Sequence, residues 1–218
     1  MRYLLLVSLS LFTFTNTITC QYSLVVEESV SSLSKDHKLF KIYVELQHKT
    51  DRVSAVFGTD IHPAFINAPE GVFNSEFNGS WSASGINPQF FEFAPQLESD
   101  SYATIGLTAP ASLSDEGSED PLMVEDENQR WSHFFKENGA TQLVIATRTG
   151  GSWFILNTAV NGVASNKKKV LLASITTTGK INGILNVQIF PLGDGGENMK
   201  LAFEFDGAGS TQGVLFSK

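Results

Sequence analysis

The chain has 218 residues, 42% hydrophobic and 17% charged, with a formal net charge of −8. An acidic surface repels phosphate backbones and anionic lipid heads, which argues against nucleic acid and unassisted membrane binding. Beyond the N-terminal leader no apolar run approaches the roughly eighteen residues of a spanning helix, so no transmembrane segment is expected.

Arg2 opens the chain with a positive charge, and residues 4–14 are apolar apart from Ser8, Ser10 and Thr13. Small and polar residues then lead to Thr17, Ile18, Thr19 and Cys20, the layout of a secretory signal peptide over residues 1–20. Cleavage after Cys20 starts the mature chain at Gln21 and removes the only cysteine. Cleavage after Thr19 instead leaves a free N-terminal thiol. Lipidation of Cys20 is a third route, although Thr17 to Thr19 match the usual Leu-small-small approach poorly. The expected product is secreted or held at the cell surface, with one domain over 21–218 and no disulfide to stabilise it.

Alternation at period two dominates the mature chain. Phe40, Ile42, Val44 and Leu46 share one side of a strand, and residues 48–51 read as a turn into a returning strand at 53–57. Residues 72–77, 90–93 and 102–107 are further strand candidates. Residues 125–137 carry the one helical pattern, with acidic residues first, Lys136 in the last turn and Asn138-Gly139 as a stop. Trp131, Phe134 and Phe135 fall on one face of that helix and should dock it on the sheet. Residues 170–177 and 180–190 flank Thr178-Gly179, which reads as a tight hairpin with glycine at positive φ. Asp194-Gly195-Gly196 leads into a strand over 199–205, and a last short strand is expected at 213–216. The pattern predicts an all-β fold, an antiparallel β-sandwich or flattened barrel of meander type, with one short helix packed on the sheet. The seventeen phenylalanines are expected mostly in its core.

The segments DRVSAVFG at 51–58, YATIGL at 102–107, VLLASITTTG at 170–179 and NVQIF at 186–190 resemble recurring pieces of uncharacterised secreted β-rich proteins from aquatic microbes and algae. The resemblance implies an exported β domain and transfers no activity and no site residue.

Candidate sites are few. Asp115, Glu116, Glu119 and Asp120 belong to an acidic stretch without basic residues. Carboxylate oxygens suit hard cations, so calcium is the possible ligand there, although a solvated loop explains the stretch equally well. Asn78-Gly79-Ser80 is an N-glycosylation sequon. Trp81 and Trp153 follow flexible turns and, with Tyr102, are candidates to stack on sugar rings; Trp153 equally suits the start of a core strand. The histidines show no zinc spacing, Gly-x-Ser-x-Gly does not occur, and no catalytic residue is assigned. The expected function is a non-enzymatic secreted or cell-surface domain, structural or adhesive, acting through its loops on an extracellular protein, matrix polymer or glycan. The alternatives are a carbohydrate-binding or carbohydrate-active module and a secreted hydrolase with a scattered carboxylate and histidine site.

Overall fold

The computed structural model describes residues 22–216. The signal peptide expected at 1–20, with Cys20 and the cleavage site, lies outside those residues. Among the described residues the chain is mostly β, arranged as a five-stranded and an eight-stranded antiparallel sheet.

The first sheet contains β1 (Ser23–Val30), β2 (Lys38–Glu45), β5 (Tyr102–Ala103), β9 (Lys169–Thr177) and β12 (Gly209–Gln212), in the order β12-β1-β2-β9-β5. The second sheet runs β13-β11-β10-β3-β8-β6. Its members are β3 (Arg52–Gly58), β6 (Leu122–Val124), β8 (Gly151–Phe154), β10 (Asn182–Phe190), β11 (Met199–Asp206) and β13 (Val214–Leu215). A side branch adds β4 (Ala64–Asn67) on β10 and β7 (Gln142–Ile145) on β4. Neither path closes into a ring, so the expected barrel is not formed.

Period-two alternation places the core. Phe40, Ile42 and Val44 of β2 are buried while Lys41, Tyr43 and Glu45 are only partly covered. Leu24 and Val26 from β1, Val170 and Leu172 from β9, Val53 and Val56 from β3, Leu185 and Val187 from β10, and Leu201 and Phe203 from β11 join them in one apolar cluster. Both sheets therefore feed the same core. Burying each of these side chains contributes about 1.5–3 kcal/mol before conformational entropy is charged against it.

The meander expectation fails at most junctions, and two of them join long strands. β9 and β10 do not pair: β9 lies between β2 and β5, and β10 lies between β11 and β3. Residues 178–181 carry the chain from one sheet to the other, with Ile181 fully buried. Gly179 is not at positive φ there; a Cβ on it would collide with the Glu70 side chain, so the glycine permits a close approach. The junction at 46–51 does the same for β2 and β3. The buried Asp51 carboxylate accepts the N–H of Gln47 at 3.0 Å and of His48 at 2.8 Å on Oδ2, and the N–H of Leu192 at 2.8 Å on Oδ1. Asp194-Gly195-Gly196, by contrast, lies where expected, between the paired strands β10 and β11.

The predicted helix at 125–137 is absent. Residues Trp131–Phe135 form a single 3-10 segment, preceded by an isolated bridge between Asp126 and Gln129. Asp126 Oδ1 accepts the Asn128 N–H at 2.9 Å, an Asx-type turn that competes with helical bonding. The docking face survives without the helix: Trp131, Phe134 and Phe135 are all buried. Residues 72–77 and 90–93 are not strands either. They belong to a region of turns and 3-10 segments that includes Ala83–Gly85, Pro88–Phe90 and Pro95–Ser99.

That region covers the far side of the first sheet. Tyr102 and Leu171 alternate with Ala103 and Leu172, which face the main core. They pack instead with Ala83, Ile86, Ala94 and Leu97 in a second apolar cluster. The phenylalanines divide accordingly. Phe40, Phe134, Phe135, Phe190, Phe203 and Phe205 are buried, whereas Phe77, Phe90 and Phe93 are exposed and Phe57, Phe154 and Phe216 are half-buried.

Candidate binding face

The second sheet turns its outer side to solvent, and the register fixes what stands there. Phe57 of β3 lies opposite Ser152 of β8 and opposite Asn186 of β10, which is buried with its Nδ2–H donating to the His62 and Pro63 carbonyls. One row along, Ala55 lies opposite Phe154 and Gln188, and Gln188 lies opposite Lys200 of β11. Leu122 of β6 extends that row beyond Phe154. Directly paired residues point to the same side of a sheet, so these form a surface of rings, small residues and amides.

Two open depressions mark this surface, and they share Phe57. The larger, about 690 Å³, is bounded by Phe57, His62, Glu197, Lys200, Leu215 and Phe216. The second, about 410 Å³, is floored by Ser54, Ala55, Ser152, Phe154 and Gln188, with Leu156 and Asn157 at its margin. Together they make a trough across β8, β3, β10 and β11. At one end the His62 ring stacks on Phe216 with centroids 4.0 Å apart and planes 8° from parallel. Phe216 meets Phe57 edge-on at 6.0 Å. The Lys200 Nζ lies over the Phe57 ring, 5.4 Å from its centroid.

A covalent or acid–base site is less developed here. Glu197 and Lys200 stand at the trough margin, and His62 is engaged in its ring stack. The carboxyl displaced furthest from its ordinary value lies elsewhere. Burial pushes Asp100 up to about 6, against the opposing effect of hydrogen bonds from Ser75, Asn78 and Ser101. Its Oδ1 accepts the Ser75 N–H and its Oδ2 accepts the Asn78 Nδ2–H, both at 2.6 Å.

The residues singled out from sequence fall in three places. Trp153 is 0% exposed, packed against Trp131 and Phe135, and its Nε1–H donates to the Thr104 carbonyl at 3.2 Å. Tyr102 is 4% exposed, and burial raises its phenol above the ordinary value. Neither offers a ring face to solvent. Trp81 is half-buried, with Trp131 edge-on at 5.1 Å. These three tryptophans form a ladder inside the fold, separate from the trough.

Asp115 and Glu116 are exposed, Glu119 is partly covered and Asp120 is exposed. Asp120 Oδ1 accepts the Ala111 N–H at 2.9 Å, and Glu119 Oε1 accepts the Thr158 hydroxyl at 3.4 Å. Among the described residues no three His, Cys, Asp or Glu side chains converge as metal ligands. Asn78 is 8% exposed, and its Nδ2, the atom a glycan would occupy, is the donor to Asp100.

The trough residues Phe57, Phe154 and Gln188 were not among the sequence candidates. A signal for them existed: Phe57 and Phe154 occupy the phase of their strands opposite to Val56 and Trp153. A strand apolar in both phases has two faces to account for. No family model, curated protein or solved structure matches the chain.

Proposed function

We propose that this chain is an exported, non-enzymatic β-sandwich that grips an extended extracellular polymer along the outer face of its second sheet. The observation that carries this reading is the position of Phe57, which belongs to both depressions and makes one elongated trough of them. The two sheets behave unequally: 3-10 segments cover the far side of the first, while the second leaves aromatic rings half-open to solvent. Rings that contribute little to the main core are available to a ligand. The leader at 1–20 supports export, and the acidic charge disfavours nucleic acid as the polymer. Adhesion thus moves from the loops, where the sequence pointed, to a rigid sheet surface, and its floor comes from strands held on both sides by ladder bonds.

The test is retention of the protein on insoluble extracellular polymers, with Phe57→Ala and Phe154→Ala as variants. Loss of retention with the melting temperature kept within a few degrees supports the reading. Release of a soluble product that depends on Glu197 or His62 would replace it with catalysis. Retention equal in both variants would remove the trough from the function.

A further inference from the structure

We propose that the polymer held in the trough is a neutral linear glycan, an inference that rests on the binding reading above. Its floor comes from β8, β3 and β10, each hydrogen-bonded to a neighbour on both sides. A peptide therefore cannot add there as another strand, and its backbone groups find no ladder partners. Recognition falls to side chains alone.

Those side chains match a sugar. Phe57, Phe154 and Phe216 present apolar ring surface, and the C–H faces of pyranose rings pack on such surface. Between and beside the rings stand Ser54, Ser152, Asn157 and Gln188. Hydroxyls and amides both donate and accept, as sugar hydroxyls do, whereas the ionised carboxylates of an acidic chain only accept.

Charge selects further. The trough carries Lys200 and Glu197, of opposite sign, on a chain of net charge −8. An anionic polymer would gain one cation and meet repulsion from the remainder. Lys200 also has a specific task in this arrangement. Its ammonium covers the Phe57 ring in the free protein and swings to solvent when a sugar takes that face. Binding thus bares the ring that both halves of the trough share.

Retention on neutral insoluble glucan and mannan is compared with retention on alginate, a sulfated glycan and gelatin. Wild type, Phe57→Ala, Phe154→Ala and Lys200→Gln are measured, each checked by thermal melting. Neutral glycan binding that persists at about 1 M salt is expected, because uncharged contacts are not screened. It should weaken about tenfold in Phe57→Ala and strengthen in Lys200→Gln, where no ammonium competes for the Phe57 ring. Retention on alginate or the sulfated glycan that falls with salt and with Lys200→Gln overturns the neutral glycan and keeps the trough. Retention on gelatin alone, lost in Phe57→Ala, does the same. Retention insensitive to both phenylalanine variants, or on none of these polymers, overturns the trough itself.

Discussion

Asn78 spends its side-chain amide on Asp100: Nδ2 donates to the buried carboxylate at 2.6 Å while Oδ1 accepts the Ser80 N–H at 2.8 Å. The pair roots the layer of turns that covers the first sheet. Asp100 has no cationic partner among the described residues, only neutral donors. That relationship makes the carboxyl sensitive to pH and the sequon unlike an exposed one.

Asp100 should make the protein more stable in acid. Its folded value of about 6 lies above the ordinary 3.8, so the native state binds the proton more tightly than the unfolded chain. The associated stability is fully present below pH 3.8 and is lost as pH rises through about 6. The difference amounts to about 2–3 kcal/mol. Melting curves of wild type and Asp100→Asn between about pH 3.5 and 7 check this. The wild-type curve should fall relative to the variant between about pH 4 and 6, and parallel curves would remove the linkage.

Asn78 should carry no glycan even when produced in a glycosylating host, because Nδ2 is turned into the interior. Intact mass before and after glycosidase treatment decides it. Asn78→Ala should cost about 2–3 kcal/mol in denaturant unfolding, since a buried carboxylate loses a donor. A glycosylated product with unchanged stability would contradict both statements.

Asp51→Ala should destabilise by about 2–4 kcal/mol, removing the buried carboxylate that three N–H groups share. Urea unfolding measures it. A cost under about 0.5 kcal/mol would mean that the junction between the sheets holds without the carboxylate.

Trp153→Ala should cost about 3–5 kcal/mol, as expected for a large buried aromatic side chain. Phe90→Ala and Phe93→Ala, at 54% and 81% exposure, should stay within about 0.5 kcal/mol of wild type. Comparable losses at all three positions would contradict the division of aromatic residues between core and surface.

Calcium should leave the melting temperature unchanged. Asp115, Glu116, Glu119 and Asp120 do not converge, and Asp120 and Glu119 already accept local donors. A ligand that binds only the folded state must raise its stability by mass action. A rise of several degrees with millimolar calcium, reversed by chelator, would locate a site there.

The strand content was legible because burial on one face leaves a period-two trace, as in Phe40, Ile42 and Val44 of β2. β1 left none: Val25 and Val26 are adjacent, and Glu27, Glu28 and Ser29 come directly after them. Its second half is held by its ladder with β2, flanked by the ion pairs Glu28 to Lys38 and Glu27 to Lys169 at 2.9 Å, rather than by a core. Pairing was legible across the turn between β10 and β11 but not where the chain changes sheet. A Thr-Gly step serves a hairpin or a change of sheet equally well, and the difference lies in the distant strands that β9 and β10 pair with. The helix pattern at 125–137 misled because it recorded which aromatics are buried, and a 3-10 turn can bury the same three rings. The burial of Trp153 was hidden for a related reason. A tryptophan after a flexible turn looks available, but Trp153 lies on the inward phase of β8, and the outward phase carries Phe154.

β1 pairs with β2 on one side and with β12 on the other, residues 23–26 against 209–212. The first sheet therefore lacks an edge partner until nearly two hundred residues of chain have been made. The repeated changes of sheet lengthen the loops that must close, and a topology of distant pairings folds slowly.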